Sequence, residues 1–151
     1  MKGTYSAKGV PVGTANTVAP AGDYYLKVKR VFDTDKEGNQ KFTRNGDPMV
    51  SVLCEIDDAG EWLGTTLWHN VIFMNREADG TAKKGAGMAL HFLKSIGEPW
   101  EGDFEYDTAR WPGKRFKAKL KLTKDQFGQP KNEIHYLIDE ETAATDEEVP
   151  F

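Results

Sequence analysis

The chain has 151 residues, 38% of them hydrophobic and 29% charged, which is the size and composition of one globular domain with its own core. No apolar run approaches the ~18 residues that a membrane-spanning helix needs. The single cysteine, Cys54, excludes an intramolecular disulfide and a cysteine-based zinc site. We therefore expect a protein of a reducing cytoplasm with no membrane partner.

The formal net charge of −4 is unevenly distributed. From Asp139 onward there are six acids and no Lys or Arg, which leaves 18 acids against 20 bases in residues 1–138. A mildly basic body with an acidic tail differs electrostatically from a uniformly acidic protein. The acidic balance of the whole chain therefore does not exclude a nucleic-acid partner.

The first half of the chain predicts an arm followed by three strands. Residues 1–22 have no sustained period and predict an arm that is flexible or adds to a sheet edge. From Tyr24 a strand begins, in which Leu26, Val28 and Arg30 alternate with Tyr25, Lys27 and Lys29. After turn clusters at 35–39 and 45–48, the second strand runs from Met49 to Ile56 and the third from Thr65 to Phe73.

One helix and two further strands complete the pattern. Ala89, Phe92, Leu93 and Ile96 form a single apolar stripe, and Gly97 is the expected residue after the helix. Strands are predicted from Gly113 to Thr123 and from Asn132 to Ile138. A helix between the third and fourth of five strands is the order of the OB fold, a mainly β barrel. We expect an arm at 1–22, an OB-fold domain at 23–138 and an acidic tail at 139–151.

The fourth strand gives the strongest binding signal. Because side chains alternate between the faces of a strand, four cations line one face: Arg115, Lys117, Lys119 and Lys121. Same-face residues are ~6.6 Å apart, comparable to the phosphate repeat of a stretched single strand. No acid lies between Asp107 and Asp125, so nothing nearby in the sequence balances this charge. The alternatives are a solvated strand face or an edge that lysines protect from aggregation.

Aromatic residues are plentiful enough to supply stacking surfaces for bases. Six lie in or near loops or on mixed faces: Tyr25, Phe42, Trp62, Trp68, Trp111 and Phe127. Each alone is a candidate core or loop-anchoring residue. Trp68 and Tyr25 are the preferred stacking residues because strands one to three form the usual ligand face of the OB fold. Phe42 is a further candidate, with Arg44 and Lys41 on either side of it.

The chain closes on an acidic run and an aromatic residue: Asp146, Glu147, Glu148, Val149, Pro150 and Phe151. A terminal ring beside a carboxylate suits a partner pocket that is apolar at its base and lined by Arg or Lys. This ending resembles the acidic tip of bacterial single-stranded DNA-binding proteins. The alternative is a frayed, solubilising terminus.

The body is also similar to the small OB-fold single-stranded DNA-binding proteins of bacteriophages. The similarity rests on residues 21–26, on Gly113-Lys114-Arg115-Phe116 with the basic strand that follows, and on residues 128–132. It implies sequence-independent binding of single-stranded DNA in replication, recombination or repair, with the tip recruiting partner proteins. No long linker separates body and tip, so the tetrameric state of the bacterial proteins is not implied, and homo-oligomer formation stays open.

Enzymatic interpretations have weaker support. His69, His91 and His135 lack metal-ligand spacing, and Cys54 alternates with core residues. Asp57-Asp58 and the acids at 101, 103, 105 and 107 provide an alternative, a Mg²⁺-dependent phage nuclease or resolvase-associated factor. A third alternative is an OB-type protein-interaction module. We expect no enzymatic activity and neither a cofactor nor a metal.

Overall fold

A computed structural model describes residues 1–6, 8 and 18–139 of the chain. The strands are β1 (Gly22–Phe32), β2 (Met49–Ile56), β3 (Thr66–Ile72), β4 (Arg115–Lys124) and β5 (Pro130–Ile138). One α-helix, α1 (Gly87–Ser95), and a short 3₁₀ helix (Thr108–Arg110) lie between β3 and β4. From residue 140 onward the predicted tail, which includes the acidic tip at 146–151, lies outside the described residues.

The strands form one antiparallel sheet in the order β3-β2-β1-β4-β5. The sheet curls until β3 and β5 approach each other, which makes a nearly closed barrel. This architecture fits an OB-fold-like barrel, and it confirms the predicted position of the helix between the third and fourth strands.

The barrel interior is filled by alternate residues of the strands and by the apolar face of α1. On β2 the predicted alternation is confirmed, since Val50, Val52, Cys54 and Ile56 are all buried. Phe92 of α1 is fully buried against the rings of Trp111 and Phe116, at centroid distances of 5.6 and 5.5 Å. Burying rings of this size dominates the energetics of such a core.

Helix α1 ends as its sequence predicts. Gly97 has a φ of +79°, a conformation that a residue with a Cβ adopts only at a cost. The Gly97 N–H donates to the Lys94 carbonyl and the Glu98 N–H donates to the Leu93 carbonyl. These two bonds form a Schellman motif, which satisfies carbonyls at the helix end.

Strand β1 contains a bulge that the alternation pattern did not predict. Val28 is paired with Cys54 and Arg30 with Leu53, so Lys29 is the extra residue. Beyond the bulge, residues that the alternation places on the core-facing side point outward, and those that it places outward point to the core. Val31 packs against the core, whereas Arg30 is exposed, and the prediction that Arg30 continues the face of Leu26 and Val28 is wrong.

Several strand ends also differ from prediction. β1 begins at Gly22 instead of Tyr24. β4 begins two residues later and ends one residue later than predicted. Leu122, expected on the buried face of β4, is 49% exposed, so the prediction that it is buried is wrong.

The end of the predicted arm packs onto the body. Ala19 is fully buried, its N–H donates to Asn132 Oδ1 at 2.8 Å, and its carbonyl accepts from Asn132 Nδ2 at 2.9 Å. Because Asn132 is itself buried on β5, this pair of bonds fixes the chain just before β1.

Candidate nucleic-acid interface

The outer face of β1, β2 and β3 carries cross-strand rows of side chains that point away from the core. One row consists of Arg30, Leu53 and Trp68, and its neighbour consists of Phe32, Ser51 and Asn70. We call these six residues the aromatic face. Neighbouring strands are ~4.8 Å apart, so a row across three strands spans roughly 10 Å.

Two rings dominate the aromatic face. Trp68 is 55% exposed although it stands in the middle of β3. The Phe32 ring lies 5.4 Å from the Trp68 ring, tilted by 52°, so the two rings meet above β2. The Arg30 guanidinium carbon lies 4.9 Å from the centroid of the Phe32 ring. A large ring held in solvent by a neighbouring ring is a ready stacking surface.

A chain of polar groups borders the rings. Lys41 Nζ donates to Ser51 Oγ at 2.7 Å, and Ser51 Oγ donates to Asn70 Oδ1 at 2.9 Å. Lys41 reaches this position because the β1–β2 connection folds back on itself. The Lys41 N–H donates to the Asp33 carbonyl, and the Met49 N–H donates to the Lys41 carbonyl.

The four cations of β4 point outward as predicted, and Phe116, Ala118 and Leu120 are buried on the other face. Two of the four, Arg115 and Lys121, are paired with acids that lie outside β4. Arg115 Nε lies 2.9 Å from Asp57 Oδ2, and Lys121 Nζ lies 3.9 Å from Glu133 Oε2. The prediction that nothing balances this row is therefore wrong for Arg115 and Lys121. Their acids are distant in the sequence, in the β2–β3 turn and on β5.

Lys117 and Lys119 lie against aromatic rings. Lys117 is paired across the strands with Tyr25, and its Nζ is 5.2 Å from the Tyr25 ring. Lys119 Nζ is 6.0 Å from the ring of Tyr136, and its cross-strand neighbour on β1 is Asp23. Contacts of this kind hold an ammonium group in place.

Tyr25 is half-buried beneath cations. The Arg115 guanidinium carbon is 3.9 Å from its ring centroid, which is a close cation–π contact. In this arrangement one face of the ring is covered by Arg115. Tyr25 thus orients cations more directly than it offers a stacking surface.

The remaining predicted DNA-binding residues lie on β1 or in the connection between β1 and β2. Lys27 pairs with Glu55 across β1 and β2 at 3.3 Å, and Lys29 is the exposed bulge residue. Phe42 is 53% exposed and forms an isolated bridge with Pro48 in the β1–β2 connection, and Arg44 is exposed in the turn that follows.

Among the described residues, four cations of β1 and of the β1–β2 connection are not held by an acid. Within the described residues, Lys29, Arg30, Lys41 and Arg44 make no ion pair. Sequence reasoning missed Arg30 and Phe32 as site residues. The available signal was the polar pair Lys29-Arg30 between Val28 and Val31, because two adjacent polar residues interrupt the period of a strand.

Other aromatic candidates are less suited to stacking. Trp111 is fully buried in the core and cannot reach a ligand, and Trp62 is half-buried against the same core. Phe127 is 78% exposed at the β4–β5 turn.

A groove of about 540 Å³ separates β3 from β5, and Trp68 and Asn70 lie on its rim. His69 lines the same groove while its ring packs 5.4 Å from Phe92. Burial lowers the pKa of His69 to about 4, although Glu133 opposes the shift, so the ring is neutral at physiological pH.

Several of the acids proposed for Mg²⁺ binding already have hydrogen-bond or ion-pair partners, and the described acids do not form a cluster. Asp57 pairs with Arg115, and Asp58 Oδ2 accepts from the Tyr25 N–H at 2.8 Å. Asp107 caps the 3₁₀ helix by accepting from the Ala109 N–H. Among residues 1–6, 8 and 18–139 there is no group of three or more His, Cys, Asp or Glu residues that could hold a metal ion.

Burial raises the pKa of the Cys54 thiol to about 12, which suppresses its reactivity.

In the described part of the chain, no helix is long and apolar enough to cross a membrane.

Comparison of the sequence with models of known protein families finds no matching family, and comparison with curated proteins finds no match.

Proposed function

We propose that this protein binds single-stranded DNA independently of its sequence. The strand would lie on the aromatic face and on the cations beside it. The observation that carries the proposal is the Phe32–Trp68 pair. Trp68 is held half-exposed at a ring distance of 5.4 Å from Phe32, beside Arg30, which has no ion pair within the described residues. Stacked bases and bound phosphates require this combination of rings and cations.

Phosphates would follow the cations on both sides of the rings. Arg30 and Lys41 need no ion pair broken, so they are the first phosphate ligands. Arg115 and Lys121 are half-exposed, and exposed ion pairs contribute only about 0–1 kcal/mol, so a phosphate can replace their acids at small cost. Lys117 and Lys119 would extend the path across β4.

The proposed role is in DNA replication, recombination or repair, with the protein encoded by a bacteriophage. The acidic tip at 146–151 would recruit partner proteins. Its support is the sequence alone: acids that would attract a basic surface and an aromatic residue, Phe151, that would fill an apolar pocket.

The test is to incubate the full chain with labelled single-stranded DNA, with and without Mg²⁺, and to separate the products on native and denaturing gels. We expect a mobility shift that Mg²⁺ does not require and no shortening of the strand. Cleavage would support the nuclease alternative, and the absence of both shift and cleavage would reject a nucleic-acid role.

A further inference from the structure

We infer that Tyr136, with His135 and Lys119 beside it, forms a second base-stacking site for single-stranded DNA on β4 and β5. We call these three residues the Tyr136 site. The inference rests on the proposed function and adds to it a place where a further nucleotide of the same strand is held.

A bulge in β5 turns two consecutive rings outward. Lys119 is paired with Tyr136 and Leu120 with Ile134, so one residue of β5, His135, is extra. Successive residues of a regular strand point to opposite faces, whereas His135 and Tyr136 are both exposed. The bulge therefore presents a large ring to solvent from within a paired strand, and Tyr136 is 50% exposed.

The rings of the Tyr136 site are arranged like those of the aromatic face. The His135 and Tyr136 ring centroids lie 5.2 Å apart, and the rings are tilted by 58°. For Phe32 and Trp68 the corresponding values are 5.4 Å and 52°. In both places a neighbouring ring supports an exposed ring, whose exposed surface can stack on a base.

The Tyr136 site also contains a cation. Lys119 is the cross-strand neighbour of Tyr136, and its Nζ lies 6.0 Å from the centroid of the Tyr136 ring. Within the described residues Lys119 makes no ion pair, although Asp23 is its neighbour on β1, and Glu133 pairs with Lys121 instead. Because each nucleotide carries a phosphate beside its base, an ammonium group next to a stacking ring suits one nucleotide.

The Tyr136 site continues the proposed path of the phosphates. That path crosses β4 at Lys117 and Lys119, and β5 is the next strand of the sheet. A bound strand that follows these cations therefore reaches Tyr136 along the outer surface. Since every base has a face that can stack on a ring, a second ring raises affinity without adding a sequence preference.

The first test compares variants of the full chain that remove or keep the ring. Affinity for oligo-dT of about 16 nucleotides, the upper site size of one OB fold, is measured from tryptophan quenching. Tyr136→Leu should lower this affinity by about fivefold to a hundredfold, the effect of losing one stacked base. Tyr136→Phe keeps the ring and should keep the native affinity.

Phe127→Leu is the matched control on the same hairpin. Phe127 is 78% exposed, and within the described residues it contacts neither another ring nor a cation. The control variant should therefore bind oligo-dT as the native protein does.

Photo-crosslinking locates the contact directly. Oligo-dT that carries 5-iododeoxyuridine, a base that couples to an aromatic ring stacked on it, is irradiated with the full chain. The crosslinked residues are then mapped by mass spectrometry. We expect crosslinks at Trp68 and at Tyr136, and the crosslink at Tyr136 should persist in Trp68→Ala.

The outcomes distinguish this inference from the proposed function. If the native protein binds no oligo-dT, both fail. If it binds and crosslinks at Trp68, while Tyr136→Leu keeps the native affinity and Tyr136 is not crosslinked, the Tyr136 site is overturned and binding by the aromatic face stands. A loss in Tyr136→Phe or in Phe127→Leu as large as that in Tyr136→Leu would also overturn the site, because the loss would then not come from the Tyr136 ring.

Discussion

The Phe32 and Trp68 rings lie 5.4 Å apart although they stand on β1 and β3, with β2 between them. Phe32 reaches this side of the sheet because of the bulge at Lys29, and the cross-strand neighbour of Phe32 on β2 is the small Ser51. Without the extra residue, Phe32 would face the barrel interior. The bulge thus creates the surface on which the proposed function depends.

Removing the exposed ring should weaken DNA binding without unfolding the protein. Trp68→Ala should cost about 1–3 kcal/mol of binding free energy and remove part of the fluorescence quench caused by oligo-dT. Trp100→Phe is the control, because the Trp100 ring packs against Lys94 and not against Phe32. A folded Trp68→Ala protein with native affinity and native quench would exclude Trp68 as a stacking residue.

Charge reversal on β4 should weaken binding to every sequence alike. In the double variant Lys117→Glu/Lys119→Glu two phosphate contacts are lost. Since each contact on a single strand contributes about 0.7 to the slope of log K against log salt, the slope should flatten by roughly 1.4. Lys83→Glu/Lys84→Glu changes the net charge equally but lies before α1, outside the sheet. Equal losses in the two double variants would mean that only net charge matters.

The fold and the candidate site were not equally predictable from the sequence. The regular alternation from Val50 to Ile56 and the stripe from Ala89 to Ile96 are local, and the structure confirms both. The pairing of Arg115 with Asp57 joins residues 58 positions apart, and no local period encodes it. A bulge shifts the alternation by a single residue, so the sequence period does not place Arg30 and Phe32 on the outer face.

Protein stability should decrease as pH falls below neutrality, because of His69. The folded state holds the pKa of His69 at about 4, below its ordinary value of 6.5. Between these two values the unfolded chain binds a proton that the folded protein does not, so the free energy of unfolding falls with falling pH, by about 3 kcal/mol at most.

Urea unfolding of the native protein between pH 7.5 and 4.5 measures this dependence. In His69→Gln the pH dependence should be flatter, even if the variant is less stable at pH 7.5. His135→Gln, at an exposed position on β5, should keep the native dependence. A native slope in His69→Gln would assign the acid sensitivity to other groups.

Deleting residues 146–151 should separate partner binding from DNA binding. The deletion removes three acids, so affinity for DNA should stay equal or rise modestly, most clearly at low salt where charge competition is least screened. Pull-downs from a host lysate should lose partner proteins, and Phe151→Ala alone should reproduce most of that loss. Identical partner sets for all three proteins would reduce the tip to a solubilising terminus.

The central claim is that exposed rings and cations on the outer sheet face bind single strands. Its most direct test is a tryptophan-fluorescence titration of the full chain with oligo-dT and with duplex DNA, repeated at several salt concentrations. We predict a saturable quench with oligo-dT, an affinity that falls linearly with log salt, and much weaker binding of the duplex, whose stacked bases cannot reach Trp68. An unquenched signal with oligo-dT, or equal affinity for duplex and single strand, would contradict the claim.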